Sequence, residues 1–263
     1  MNKIPLFQID TFTNKPFTGN PAAVCLLDRQ ISSELMLSIA IETKASETAF
    51  LLPVENGFHL RWFSQTQEID LCGHGTLASA HLLWEQGILP KDAPALFHTK
   101  SGLLTVLFKD DWLEMDLPAA SFSPVTLPEE LVQILNIQPI NAAYAEDRYI
   151  IELKTEAEVK NARPDIKTLS NYDPVVLTSL ASAESYYDFV SRTFAPSVGI
   201  DEDPVTGSSH CSLTPYYAEK LKRNGFQCSQ LSKRTGHLKV VLAGSRVLIS
   251  GKAVTVFEGH LLL

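Results

Sequence analysis

Basic residues are scarce: 22 lysines and arginines stand against 30 aspartates and glutamates, a net charge of −8. No lysine–arginine cluster is dense enough to track phosphates, which argues against a nucleic-acid partner. Apolar runs reach only strand length, so no segment is expected to span a membrane. The four cysteines, Cys25, Cys72, Cys211 and Cys228, lack Cys-x-x-Cys spacing. They read as reduced thiols of a cytoplasmic protein, with no structural zinc site. A phosphate-binding fingerprint and a metal-ligand cluster are also missing, so neither metal nor organic cofactor is expected. The first ten residues enter a strand directly, without the apolar core and cleavage site of a signal peptide. Low-complexity segments are absent.

What remains is a chain of 263 residues, 45% hydrophobic and 20% charged. That suffices for one large domain or two ordinary ones with a substantial core. Strand patterns at Leu6–Thr11 and through Ala22–Leu27 precede a helix from Ser32 or Ser33 to about Thr43. The segment Pro118-Ala-Ala-Ser-Phe-Ser-Pro124 then breaks the pattern and reads as a linker. The expected division is an N-terminal half, 1–117, which the last strand (about 256–263) could complete, and a C-terminal half, 118–263.

Chemistry concentrates at Ile69-Asp-Leu-Cys-Gly-His-Gly-Thr-Leu-Ala-Ser-Ala80, a strand end turning into a helix of small residues. Gly73 and Gly75 let the backbone approach a ligand, and the first helical N–H groups suit an anion. His74 can carry a proton near neutral pH. Glu47 leads into an apolar strand, where burial is expected to raise its pKa.

A repeat underlies the two halves. Arg61-Trp-Phe-Ser64 aligns with Arg192-Thr-Phe-Ala195, and Ile69-Asp70 with Ile200-Asp201. Each pair leads into a glycine turn and a helix, Gly73-His-Gly75 and Thr206-Gly-Ser208, with Cys72 opposite Asp203. Two helix N-termini are thus expected to face an interdomain cleft.

Gly19-Asn-Pro-Ala22, Ser46-Glu-Thr48, Cys72-Gly-His-Gly-Thr76 and Glu202-Asp-Pro-Val-Thr-Gly-Ser208 carry a resemblance over almost the whole chain. In order and spacing they resemble the PhzF, or phenazine-biosynthesis-like, family. The resemblance implies an α+β fold like that of diaminopimelate epimerase: two pseudo-symmetric α/β halves, each a curled, barrel-like sheet around a central helix. It implies a cofactor-free isomerase acting on a small carboxylic acid, and a homodimer. Glu47 would be the carbon base and acid, with His74 and Asp203 orienting the substrate or shuttling protons. Ser208 and the turns containing Gly73, Gly75, Thr76 and Gly207 would bind the carboxylate, with Asn20 as a further binding residue. The runner-up is an amino-acid or hydroxy-acid epimerase or racemase pairing Cys72 with a carboxyl group. A non-catalytic binding protein on the same fold is the third reading.

Overall fold

A computed structural model describes residues 3–263. Its contacts divide the chain into unit 1, running to Asp116 and resumed at Ser250–Leu263, and unit 2, Leu117–Ile249. Unit 1 begins with β1 (Lys3–Thr11), β2 (Asn20–Leu26), α1 (Ser33–Thr43), β3 (Thr48–Val54) and β4 (Gly57–Phe63). It continues with β5 (Glu68–Ile69), α2 (Gly73–Glu85), β6 (Ala95–Thr99), β7 (Gly102–Lys109) and β8 (Trp112–Pro118). Unit 2 opens with β9 (Ser123–Pro124), α3 (Glu129–Leu135), β10 (Asn141–Ala145), β11 (Arg148–Glu152), α4 (Glu156–Asn161) and α5 (Ile166–Leu169). There follow β12 (Val175–Leu180), β13 (Phe189–Ala195), β14 (Ile200–Asp203), α6 (Gly207–Leu221), β15 (Gly225–Gln230), β16 (Gly236–Ala243) and β17 (Arg246–Gly251). The final strand, β18 (Ala253–Leu262), pairs antiparallel with β1.

In unit 1 the strands run β18–β1–β2–β3–β4–β6–β7–β8, with β2–β3 and β4–β6 parallel and the other pairs antiparallel. Gly19 makes the entry to β2 possible: its φ is +68°, and an added Cβ would sit 2.1 Å from the Thr11 carbonyl oxygen. Helix α2 is buried at every position from His74 to Ala80 and again at Leu82–Trp84. A helix sealed on all sides must be surrounded, and α2 touches β1, β2, β3, β7 and β18. Its small residues, Gly75, Ala78, Ser79 and Ala80, let the strands close around it. Lys100–Ser101 turn the chain between β6 and β7, and Gly102 opens β7 with φ +95°.

Unit 2 repeats this order. The strands run β9–β10–β11–β12–β13–β15–β16, with β11–β12 and β13–β15 parallel. Its central helix, α6, buries Gly207, Ser209–Thr214, Tyr217 and Ala218. Tyr217 stacks on Phe189 at 4.3 Å, and its hydroxyl lies 2.9 Å from that of Thr178. Pro215 has no N–H for the Cys211 carbonyl one turn back; the Ala120 N–H donates to it instead at 3.0 Å. The helix therefore runs on through the proline.

The shared topology gives a residue-level correspondence. Phe63 pairs with Thr48 as Phe194 pairs with Val175. Trp62 pairs with Ile69 as Thr193 pairs with Asp203. Asp203 therefore matches Ile69, and Thr206 matches Cys72, each capping its helix. This corrects the sequence alignment, which set Cys72 opposite Asp203 and Ile69 opposite Ile200. The cause is the pairing of the hairpin: four residues link the strands in each unit, but β13–β14 pairs one residue further out, at Ala195–Ile200, and shifts register between Thr193 and Ala195.

Candidate active site

The turn into α2 is held by the residues around Cys72. Its Sγ accepts the Gly75 N–H at 3.3 Å, and its carbonyl accepts the Thr76 hydroxyl at 2.6 Å. The first of these bonds satisfies an N–H that a helix start leaves open. Gly75 must lack a side chain, since a Cβ would stand 2.9 Å from both Cys72 Sγ and Trp62 Cδ1. Gly73 meets only Met115 Cε at 3.5 Å, an ordinary contact. Its N–H, with that of His74, is among the first of the helix and lacks an intrahelical acceptor.

Glu47 reaches the same spot from the residue before β3. Its carbonyl accepts the Ala23 N–H at 3.3 Å, which ties residues 46–47 to the start of β2. Asn20 lies buried in that strand, opposite Thr11. His74 Nε2 stands 2.9 Å from Glu47 Oε2, and Cys72 Sγ lies 3.6 Å from His74 Nδ1 and 3.8 Å from Nε2. All three side chains are buried. Although Oε2 is at ion-pair distance from the ring, no donor among the described residues is aligned on it. A buried carboxylate oxygen without an aimed donor keeps a lone pair for a proton.

Burial disfavours the Glu47 carboxylate, but the His74 charge beside it, with Ser46 on its other side, outweighs that and holds the pKa below the ordinary value. The expectation of a raised Glu47 pKa is therefore overturned: burial was legible in the sequence, but the facing imidazole was not. Burial also works against the His74 cation, yet Cys72 and Glu47 beside it hold its pKa well above normal. Burial pushes the Cys72 thiol up, against the opposing effect of His74. Near neutral pH the cluster is thus a carboxylate, an imidazolium and a thiol. Its carboxylate oxygen, ring nitrogen and sulfur lie within 4.8 Å of one another, a donor set that could also hold a metal ion.

In unit 2, Asp203 Oδ2 accepts the Thr206 hydroxyl at 2.7 Å, and Gln230 Nε2 donates to the Asp203 carbonyl at 2.7 Å. Gln230 Oε1 accepts the Thr206 N–H at 2.9 Å, so this glutamine ties the turn that ends in Gly207. Ser208 is exposed in the first turn of α6. Arg148 Nη1 donates to both Ser208 Oγ (3.2 Å) and Ser209 Oγ (2.9 Å), while Asp147 holds its other side at 2.7 and 2.9 Å. Sequence reasoning missed Arg148, since an Asp-Arg pair in a hairpin turn looks like ordinary surface. His210 is buried; its Nδ1 donates to the Thr206 carbonyl at 2.8 Å, and burial lowers its pKa to about 4.

Of the residues singled out from sequence, Glu47, His74, Gly73, Gly75, Thr76 and Asn20 belong to unit 1, and Asp203, Gly207 and Ser208 to unit 2. Within unit 1, Glu47 and His74 meet directly, with Cys72 against the same ring. The class is thus an α+β protein of two like units, with a buried carboxylate–imidazole pair at the start of the first central helix. The family model described as "Phenazine biosynthesis-like protein" matches residues 9–259. The chain belongs to this PhzF family. It is 45% identical to an uncharacterized isomerase of Halalkalibacterium halodurans over 100% of both chains. An uncharacterized isomerase of Pseudomonas aeruginosa is 41% identical over 99% of each. A crystal structure of a PhzF-family phenazine biosynthesis protein from Enterococcus faecalis has TM-score 0.95 at 34% identity, covering 100% of both chains.

Proposed function

We propose that Glu47 removes a proton from carbon on a small carboxylic acid and returns it, either to a second carbon on the same face or to the original one. The observation that carries this reading is the buried Glu47 Oε2, 2.9 Å from His74 Nε2 and without an aligned donor. A carboxylate held in its basic form is ready to accept a proton, and the imidazolium beside it is ready to donate one to a substrate oxygen or nitrogen. No metal or organic group enters this step. Asp203 is assigned to the substrate's heteroatoms, and Ser208, held by Arg148, to its carboxylate, in keeping with the first helical turn of α6.

The alternative, an epimerase with Cys72 as a second carbon acid, draws on the sulfur's position beside His74. Burial keeps the Cys72 sulfur protonated and so unable to take up a proton, which favours Glu47 as the base. The experiment is solvent-deuterium exchange into a panel of cyclic and acyclic carboxylic acids. Exchange by the wild type, lost in Glu47→Gln and largely kept in Cys72→Ser, is the expected result. Exchange retained in Glu47→Gln and lost in Cys72→Ser would transfer the role to the thiol. A homodimer is proposed on the family resemblance; sedimentation of a monomer alone at micromolar concentration would refute it.

A further inference from the structure

The acid–base cluster has the donor geometry of a metal tripod. In a tetrahedral zinc site, with Zn–N and Zn–O about 2.0–2.1 Å and Zn–S about 2.3 Å, neighbouring N and O donors lie about 3.3 Å apart and N and S about 3.6 Å. His74 Nε2 is 2.9 Å from Glu47 Oε2 and 3.8 Å from Cys72 Sγ. Small side-chain shifts would convert the present contacts into coordination.

The surroundings supply an outer partner for a metal-bound sulfur. Cys72 sits at the N-terminus of α2, and its Sγ already accepts the Gly75 N–H at 3.3 Å. That N–H would become a charge-assisted outer partner of a metal-bound sulfur. Cys72, Glu47 and His74 retain 5%, 7% and 8% exposure, which excludes most water but leaves the cluster reachable. Three protein ligands leave the fourth tetrahedral position for water.

We propose that Glu47, Cys72 and His74 form a binding site for a zinc-like divalent cation, which acts as an inhibitor of the enzyme rather than as its cofactor. The binding claim stands on geometry alone; the inhibition rests on the acid–base reading above. One metal ion enters and two protons leave to solvent, from the His74 ring nitrogen and the Cys72 sulfur, with no change of oxidation state. The bound ion occupies the Glu47 lone pair and the His74 nitrogen, so proton transfer stops until a chelator removes it.

The test uses the full chain, washed with chelator and titrated with Co²⁺ as a spectroscopic stand-in for zinc. The expected result is one bound equivalent, with a thiolate-to-cobalt charge-transfer band and the visible bands of a tetrahedral site, both displaced by Zn²⁺. Cys72→Ser should lose the charge-transfer band while Cys25, Cys211 and Cys228 remain. Glu47→Gln should keep the band and bind at least about tenfold more weakly, and it carries the test if Cys72→Ser does not fold. Substoichiometric binding by the wild type, or a charge-transfer band persisting in folded Cys72→Ser, overturns the site. This readout needs no substrate. Failure to bind metal therefore leaves the Glu47 assignment standing, and failure of Glu47→Gln to slow exchange leaves the metal site standing.

Discussion

The two units share a frame and differ in what stands on it. In unit 1, Arg61 makes a two-pronged pair with Glu68 at 2.7 and 2.8 Å and lies 5.1 Å from the Phe63 ring. In unit 2, Arg192 does the same with Glu202 at 2.7 and 3.0 Å and lies 4.8 Å from the Phe194 ring. The side-chain bond to the carbonyl of each helix cap also recurs, from Thr76 to Cys72 and from His210 to Thr206. Yet the residue before β3 is Glu47 and its counterpart before β12 is Pro174; their carbonyls accept matching bonds from Ala23 and Tyr149. Likewise Cys72 and His74 become Thr206 and Ser208. Duplication kept the bonds that hold the turn, while the buried cluster of carboxylate, imidazole and thiol stands in unit 1. This asymmetry agrees with a single carboxyl group serving as both base and acid, in contrast to two matched thiols, one from each unit.

The largest expected effect breaks the asymmetry at its source. Glu47→Gln preserves shape and removes the base, so substrate hydrogen exchange should fall by roughly 10²–10⁴-fold or more, while binding persists. The wild-type pH profile sharpens the same point. On the proposed assignment, activity needs Glu47 ionised and His74 protonated. It should therefore fall below a lowered acid limb and above a raised basic limb, with a plateau reaching beyond the ordinary values of about 4.3 and 6.5 on both sides. A profile confined between those two values would contradict the ion-pair assignment.

Next comes the arginine of unit 2. Arg192 is buried and also donates to the carbonyls of Val159, Lys160 and Ala162 at the end of α4. Arg192→Ala strips partners from Glu202 and from that helix end, so unfolding in urea should show a loss of about 3–5 kcal/mol. A loss below about 1 kcal/mol would mean the frame does not depend on it. Gly75→Ala should cost about 1–3 kcal/mol, because the new Cβ has sulfur on one side and the Trp62 indole on the other. Thermal unfolding of Gly75→Ala beside Gly73→Ala, where space exists, separates packing from a general glycine effect.

Much of this was legible in the sequence because it is written in local chemistry. Glycines around His74, the order of strand, turn and helix, and the Arg-x-Phe repeat are short-range signals that periodicity and turn residues expose. The correspondence of Cys72 was misread by three positions because a longer, register-shifted β13–β14 hairpin leaves no gap mark in a single chain. The electrostatics of Glu47 were misread because burial is visible in an apolar run, whereas the histidine 27 positions later is placed against it only by folding. Arg148 was invisible for the same reason: its partners, Ser208 and Ser209, lie 60 and 61 residues away.

The smallest expected effect concerns Arg61, the counterpart of Arg192. Its side chain is 28% exposed against 8% for Arg192, and among the described residues its hydrogen bond beyond Glu68 goes to the Ser33 hydroxyl, at 2.8 Å. Glu68 has a second cation, Lys100 at 2.7 Å, so removing the arginine does not strand the carboxylate. Solvent screens what remains, and Arg61→Ala should cost only about 0.2–1 kcal/mol. The double variant with Glu68→Gln should show a coupling energy no larger than that, since the cycle isolates the pair itself. Equal losses for Arg61→Ala and Arg192→Ala would show that the pair, rather than its burial and its hold on a helix end, sets the energy, and the contrast drawn between the two frames would fail.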